Sequence, residues 1–357
     1  MATMADVARR AHVSLSTVSY ALSGARPVSQ ATKARIETAM AELDFRPNAL
    51  ARGLASRRSS TLALIYPVME ASVGGTVGEF VSSAATTARA AGYHLVLWPF
   101  GSHEAEEIRD LVQQGMADGV LLMEVCLVDA RVEALHAAGV PFTMIGRTED
   151  VGGLPYVDVD FEQTTEEAVA HLVGLGHTRI GFLNHSQASY DDGYGATIRA
   201  MHGFRRAMRD RGLVPRDVLC DESPAAGRRA MARLLEAEPG LTAVVTMNEV
   251  ATFGATVELQ DRGLRIPQDV SVLSIVTSPG VGAMSNPPLT TLHAPGAELG
   301  RRAVQALLSL IEDPGHVVEP VLVPCRLEPG ASIAPAHDRL PPPLAPAAPP
   351  PDPASHG

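Results

Sequence analysis

The chain has 357 residues, 46% hydrophobic and 19% charged, with a net charge of −11. That balance describes a folded soluble chain with core enough for two or three domains, and no apolar run approaches the roughly 20 residues of a membrane span. Three distant cysteines (Cys126, Cys220, Cys325), no CxxC pair and an opening "MATMADVARR" without an apolar signal core predict a reduced, cytoplasmic setting.

The charge is uneven along the chain. Residues 1–58 carry nine Lys or Arg (Arg9, Arg10, Arg26, Lys33, Arg35, Arg46, Arg52, Arg57, Arg58) and four acids (Asp6, Glu37, Glu42, Asp44). The head is therefore +5 and residues 59–357 are −16. A basic head on an acidic body points to local contact with phosphate.

Within the head, Thr3 is placed to cap a helix from Met4 to about Ala11, with Asp6 at its positive end. Ala11-His12-Val13 breaks the pattern. Ser14 then caps a second helix to about Leu22, with Val18 and Leu22 on one face and Ser16 and Tyr20 on another. Ser23-Gly24 ends it. A third helix starts at Ser29 and carries Ile36, Met40 and Leu43 at helical spacing. Three short helices with a tight turn between the first two make a helix-turn-helix module.

"ADVARRAHVSLSTVSYALSG" and "VSQATKARIETAMAELDFRPNALARGLASRRS" resemble the LacI family of transcription regulators over about the first 60 residues. The resemblance implies a recognition helix in the major groove, with Leu15, Ser16 and Tyr20 at base-reading positions and Thr17 and Ser19 on phosphates. Thr3, Ser14 and Ser29 complete the DNA-facing set of the head. Tyr20 stands where the commonest pattern has Arg; lacking Arg's fork, it is expected to shift base preference away from guanine, the alternative being contact with backbone phosphate alone. His12 stands where the family usually has Gly, and His tolerates left-handed angles better than most residues. In "RPNALARGLASRRSS" the resemblance implies a hinge helix that orders on DNA beside its twin from a second subunit. Pro47 suits its first position, Asn48 and Ala51 contact DNA, and Leu54 wedges into the minor groove.

Beyond the linker the chain alternates strand and helix. Strands are expected at 61–66, 93–98, 119–123, 141–145, 179–183, 241–246 and 270–275. Helices are expected at Val81–Ala91, Ala105–Gln114, Thr164–Leu175, Ile198–Arg211, Gly227–Glu236 and Val250–Arg262. This predicts an α/β core with parallel sheets. "EEAVAHLVGLGHTRIGFL", "MNEVATFGATVELQDRGLRIPQDVSVLSI" and "NPPLTTLHAPGAELGRRAVQALLSLIE" resemble the family's two-lobed, periplasmic-binding-protein-like core. The expected division is a helix-turn-helix domain at 1–46, a hinge at 47–58 and a core at 59–335. The core's first lobe is 59–159 with 293–320; its second is 160–290 with 321–335. A Pro-rich tail at 336–357 is expected to be disordered.

The implied effector, a sugar or related metabolite, lies between the lobes at strand C-termini. Candidate contacts are Tyr66, Arg147, Asn184, Ser186, Tyr194, Asn248, Glu249 and Thr277, with Tyr190 a further ring. The family's ligand arginine would fall at Ala200; Arg199, one place early, is expected to point elsewhere. "VSVLSI" runs into Val276 and Thr277 rather than an acid. Without that arginine and acid, a free hexose held in the usual way is disfavoured. His171 and His177, six apart, have poor metal spacing, and no metal, cofactor or catalytic motif is expected.

The function expected is a homodimeric, DNA-binding repressor of double-stranded operators, controlled by a small molecule, without membrane association or enzymatic activity. A nucleotide-using enzyme would draw on Gly74, Gly75 and Gly78, but their spacing misses GxGxxG and "YHLVLWPF" lacks the ribose acid. A sugar-binding transport component fits the core but neither the basic head nor the missing signal.

Overall fold

The computed structural model describes residues 2–23, 26–45, 59–66, 75–100 and 104–337. The expected hinge residues Pro47, Asn48, Ala51 and Leu54 lie outside the described residues, as does nearly all of the Pro-rich tail.

The head contains α1 (Met4–Ala11), α2 (Leu15–Ser23) and α3 (Gln30–Glu42). Val7, Ala8, Ala11, Val18, Ile36 and Ala39 close its small core. Thr3 and Asp6 form a reciprocal capping box: the Thr3 hydroxyl accepts from the Asp6 N–H, and the Asp6 carboxylate accepts from the Thr3 N–H at 2.8 Å. His12 takes the left-handed conformation (φ 54°) at the end of α1. Arg10 of α1 pairs with Glu42 at the end of α3.

The first lobe contains β1 (Thr61–Ile65), α4 (Gly75–Ala90), β2 (His94–Trp98), α5 (Ala105–Gln113), β3 (Gly119–Leu122), α6 (Ala130–Ala137), β4 (Phe142–Ile145) and β5 (Tyr156–Val159). The second contains α7 (Phe161–Gly174), β6 (Ile180–Asn184), α8 (Gln187–Asp191), α9 (Gly195–Asp210), β7 (Arg216–Leu219), α10 (Pro224–Ala237), β8 (Ala243–Thr246), α11 (Glu249–Asp261), β9 (Ser271–Ile275), α12 (Pro279–Gly282) and β10 (Thr290–His293). α13 (Gly296–Glu312) returns to pack on α4, and β11 (Val321–Val323) and β12 (Arg326–Glu328) follow.

The sheets run β11-β5-β4-β3-β1-β2 and β12-β10-β9-β8-β6-β7. All pairings are parallel except β10 with β12. Central strands such as β3, β6 and β9 are buried at every residue, as strands covered on both faces must be. β2 is an edge strand and leaves Val96 and Leu97 exposed.

The strand order corrects one expected lobe boundary. β11, at 321–323, pairs with β5 of the first sheet, so the chain regains the second lobe only after Val323. Likewise β10, ending at His293, belongs to the second sheet. The chain thus crosses between lobes near 160, 294–295 and 324–325. α4 also begins six residues before the expected Val81, at Gly75. In the second lobe, Gly227 of α10 and Gly254 of α11 let two helices touch backbone to backbone. A Cβ on either would stand 1.9 Å from a carbonyl oxygen of the other helix's segment.

Candidate DNA-reading helix and interlobe cleft

α2 buries Val18 completely and turns its opposite face outward. On that face Leu15 is 50% exposed. Ser16 is exposed beside it, and Thr17, Ser19 and Tyr20 are half-buried. The Ser14 hydroxyl accepts from the Thr17 N–H at 3.1 Å, and Ser29 does the same for Thr32 at 3.3 Å. Both serines therefore start helices, leaving the free N–H groups of those helix ends for anions. Arg26, which the sequence reading counted only as charge, lies over the Tyr20 ring at 5.2 Å. The outward side of the head thus carries an arginine beside Tyr20 that does not belong to α2 itself.

In the core, the C-terminal ends of both parallel sheets face each other, as ligand-binding α/β folds require. Tyr66 follows β1, Glu124 follows β3, Arg147 follows β4, and Asp158 ends β5. Opposite them stand His185 after β6, Glu222 after β7, Glu249 after β8 and Val276 after β9. Of these, Glu124, Asp158 and Val276 line a cavity of about 120 Å³ walled mostly by apolar side chains and also reached by Tyr194 and Arg199.

The lobes are bridged on both flanks. Glu249 accepts from the Gly75 N–H at 2.9 Å and from the Ser278 N–H at 3.0 Å, tying the start of α4 to the start of α12. Thr76 donates to the Val276 carbonyl at 3.0 Å, and His293 meets Glu79 at 3.1 Å. On the other flank, Leu127 donates to the Gly193 carbonyl and Gly195 to the Val125 carbonyl. Cys126 and Tyr194 form an isolated antiparallel bridge there.

The expected effector residues divide by what their polar atoms already do. Tyr194 lines the cavity, and burial holds its phenol well above the usual range. Tyr66 is pushed up to about 12, first by burial and then by Glu124 and Glu222. Glu249 joins the lobes. Arg147 is held on Asp158 at 2.6 Å. Asn184 donates to the Thr197 carbonyl and accepts from the His185 N–H. Asn248 caps α11 and donates to the Cys220 carbonyl. Ser186 caps α8, and Thr277, fully buried, bonds Ser274 at 2.7 Å. These last four shape the strand ends with side chains already committed inside the second lobe. Tyr190 lies on a surface groove beside Arg205, away from the cleft.

Arg199 corrects the sequence reading. It does not point away: it lines the cavity and donates to the Thr148 carbonyl at 3.0 Å. The reason is local. α9 begins at Gly195, at the lobe boundary, and helical side chains lean toward the N-terminus. The guanidinium therefore folds back over Gly195, where a Cβ would stand 2.4 Å from Nη1.

Four further charged groups were missed by sequence reasoning. Glu124 directly follows the run "GVLLM" and was open to the strand-end rule. Asp158 hid inside "YVDV", whose acid masks a buried strand. His185 and Glu222, which meet at 3.2 Å, follow strands of which only one was expected. Burial pushes Glu124 up to about 7; His185 and Arg131 pull it down and Glu222 raises it. Asp158 reaches about 6 because burial outweighs Arg147 and Arg199. His177 is buried in a structural role, bonding Thr242 and the Ala334 carbonyl. Among the described residues no group of His, Cys, Asp or Glu is arranged to hold a metal ion.

Residues 3–48 match the profile of bacterial regulatory proteins of the lacI family, and residues 169–333 match a periplasmic binding protein-like domain. The HTH-type transcriptional regulator AglR of Rhizobium meliloti (strain 1021) is 32% identical over 343 residues, covering 92% of this chain and 93% of that protein. The ribose operon repressor of Escherichia coli (strain K12) is 32% identical over 320 residues, 88% of this chain and 94% of that protein. The lac repressor dimer bound to operator and the anti-inducer ONPF superposes with a TM-score of 0.79 at 25% identity, over 93% of this chain and 99% of that one. With head, core and their order all matched, the chain belongs to the LacI family of bacterial regulatory proteins.

Proposed function

We propose that this LacI-family transcriptional regulator acts in the cytoplasm as a homodimeric repressor, reading a near-palindromic operator through α2 and releasing or tightening its grip when a small molecule occupies the interlobe cleft. The observation that carries this reading is the pairing of two surfaces in one chain: an outward α2 face bearing Leu15, Ser16 and Tyr20, with Arg26 laid over Tyr20, and a closed cleft bridged by Glu249. Leu15 suits a thymine methyl, while Tyr20 and Arg26 offer donors to base edges or phosphate. The exposed apolar residues Val96 and Leu97 on edge strand β2 support pairing with a second subunit. A dimer presents two reading helices to two symmetric half-sites.

A ligand acts by differential affinity for lobe arrangements. The closed arrangement held by Glu249 is one of two such states, and the operator-binding hinges sense which is populated. Against enzymatic use of a nucleotide, the Gly75 N–H that would greet a phosphate already bonds a carboxylate.

The test is selection of bound duplexes from a random pool by the full-length protein, with binding followed against salt. A palindromic site with two half-sites is the expected product. Sequence-blind, salt-sensitive binding under every metabolite tried would sink the repressor reading.

A further inference from the structure

Resting on the reading of the interlobe cleft as the effector site, we propose that the effector is a small amine, its nitrogen seated on Glu124 and its apolar body packed against Phe80, Met123 and Phe161.

Most charged groups around the cleft are already paired. Arg147 is held by Asp158, His185 by Glu222 and His293 by Glu79. Glu249 is satisfied by two backbone N–H groups. Of these acids Glu124 and Glu249 have no contact ion pair among the described residues, and Glu124 also lacks the backbone donors that satisfy Glu249. It stands at the cavity with a strained backbone (φ 51°), held there by Arg131, which donates to its carbonyl at 2.8 Å. Arg131 is itself locked by Asp129, and both side chains are almost wholly buried. A carboxylate so placed is costly unless something brings it a proton or a cation.

The walls decide between ligand classes. They are mostly apolar, with Phe80, Met123, Phe161 and Leu299 among them. A polyhydroxylated ring needs forked donors at several hydroxyls, and Arg199 is already turned to the Thr148 carbonyl. An anion would meet two acids, Glu124 and Asp158, against one cation, Arg199, which is already turned to a carbonyl. An ammonium group meets the half-buried Glu124 carboxylate, in a cavity that Tyr194 also lines. The volume, about 120 Å³, suits one ring: an apolar cavity of roughly 150 Å³ takes up benzene.

Binding an ammonium requires ionised Glu124, so it releases a proton as pH passes through the range where burial has placed this acid, about 7. The groups facing Glu124 are His185 and Glu222 from the second lobe, Tyr194 before α9, Tyr66 after β1 and Arg131 behind it. The variant that isolates the part played by Glu124 is Glu124→Gln.

The experiment is calorimetric titration of the full-length protein, with and without operator, using benzylamine, benzyl alcohol and glucose at pH 6 and pH 8. Benzylamine is expected to bind at least tenfold tighter than benzyl alcohol and about tenfold tighter at pH 8 than at pH 6. Glu124→Gln is expected to abolish both differences while retaining the native circular dichroism spectrum and operator binding. Equal binding of amine and alcohol, or an unchanged preference in Glu124→Gln, overturns the proposal. Glucose binding alone, with a shift in operator affinity, overturns the amine and leaves the cleft reading standing. No response to any probe, with operator binding intact, overturns both.

Discussion

The Arg26 guanidinium lies 5.2 Å above the centre of the Tyr20 ring, so the two side chains form one unit on the outer face of the head. At an exposed site such a stack contributes roughly 0.5–1 kcal/mol, enough to orient an arginine that would otherwise sample many rotamers. Arg26→Ala and Tyr20→Ala should each weaken operator binding, and the double variant should lose less than the sum of the two. Tyr20→Arg should change base preference at one symmetric position of the selected site. Anisotropy titrations against salt check this; additive losses with an unchanged site would show that the two side chains act separately.

Glu249 predicts a second effect. Each hydrogen bond to a charged acceptor is worth roughly 1.5–3 kcal/mol, and this carboxylate accepts one from each lobe. Glu249→Ala should shift the free protein toward an open arrangement, read as a larger radius of gyration by solution scattering. Gly75→Ala should act in the same direction, since its Cβ would stand 2.2 Å from the Ser278 hydroxyl oxygen. Unchanged scattering from both variants would mean that the latch is incidental to closure.

Glu124 predicts a pH dependence of stability. Its acid is about 7 in the folded chain against an ordinary 4.5. A carboxyl raised on folding favours the folded state at low pH, and that contribution is lost as pH rises from about 4.5 to about 7. Glu124→Gln should therefore melt higher than the parent at pH 8, with the gain shrinking toward pH 4.5. A gain that is flat with pH would point to packing rather than charge.

Arg131 and Asp129 form a buried bidentate pair that also fixes the loop carrying Glu124. Breaking such a pair from one side costs roughly 3–5 kcal/mol, because the partner is left charged and unpaired. Arg131→Met should lower the unfolding free energy from urea titration by that amount, and Arg131→Met with Asp129→Asn should recover part of it. A loss below about 1 kcal/mol would show that the loop relaxes around the orphaned charge.

Much of the head was legible in the sequence because its signals are local. A threonine three residues before an aspartate, a serine before an apolar run and a spacing of three and four specify caps and helix faces without reference to distant residues. Thr3, Ser14, Ser29 and the buried Val18 follow from those rules. So do the core strands with unbroken apolar runs, such as 61–65 and 271–275. Short strands carrying charges, such as "YVDV" and "RDVL", were not legible, because burial on both faces overrides their weak local preference.

The cleft was only half legible, for a physical reason. Strand ends can be found by periodicity, and Tyr66, Arg147, Asn184, Ser186 and Thr277 come from that rule. Whether a polar atom at a strand end is free or already spent depends on partners far away in the chain. Asn184 spends its amide within the second lobe on Thr197, while Arg199 reaches the cavity only because α9 starts at the lobe boundary. The basic charge of the head, its three helices and the alternating α/β core were thus determined by the sequence itself, through local capping, periodicity and charge. Which lobe takes β11, where Arg199 points, and why Glu124 stands alone were decided by tertiary structure, because hydrogen bonding and desolvation depend on which distant atoms folding brings within a few ångströms.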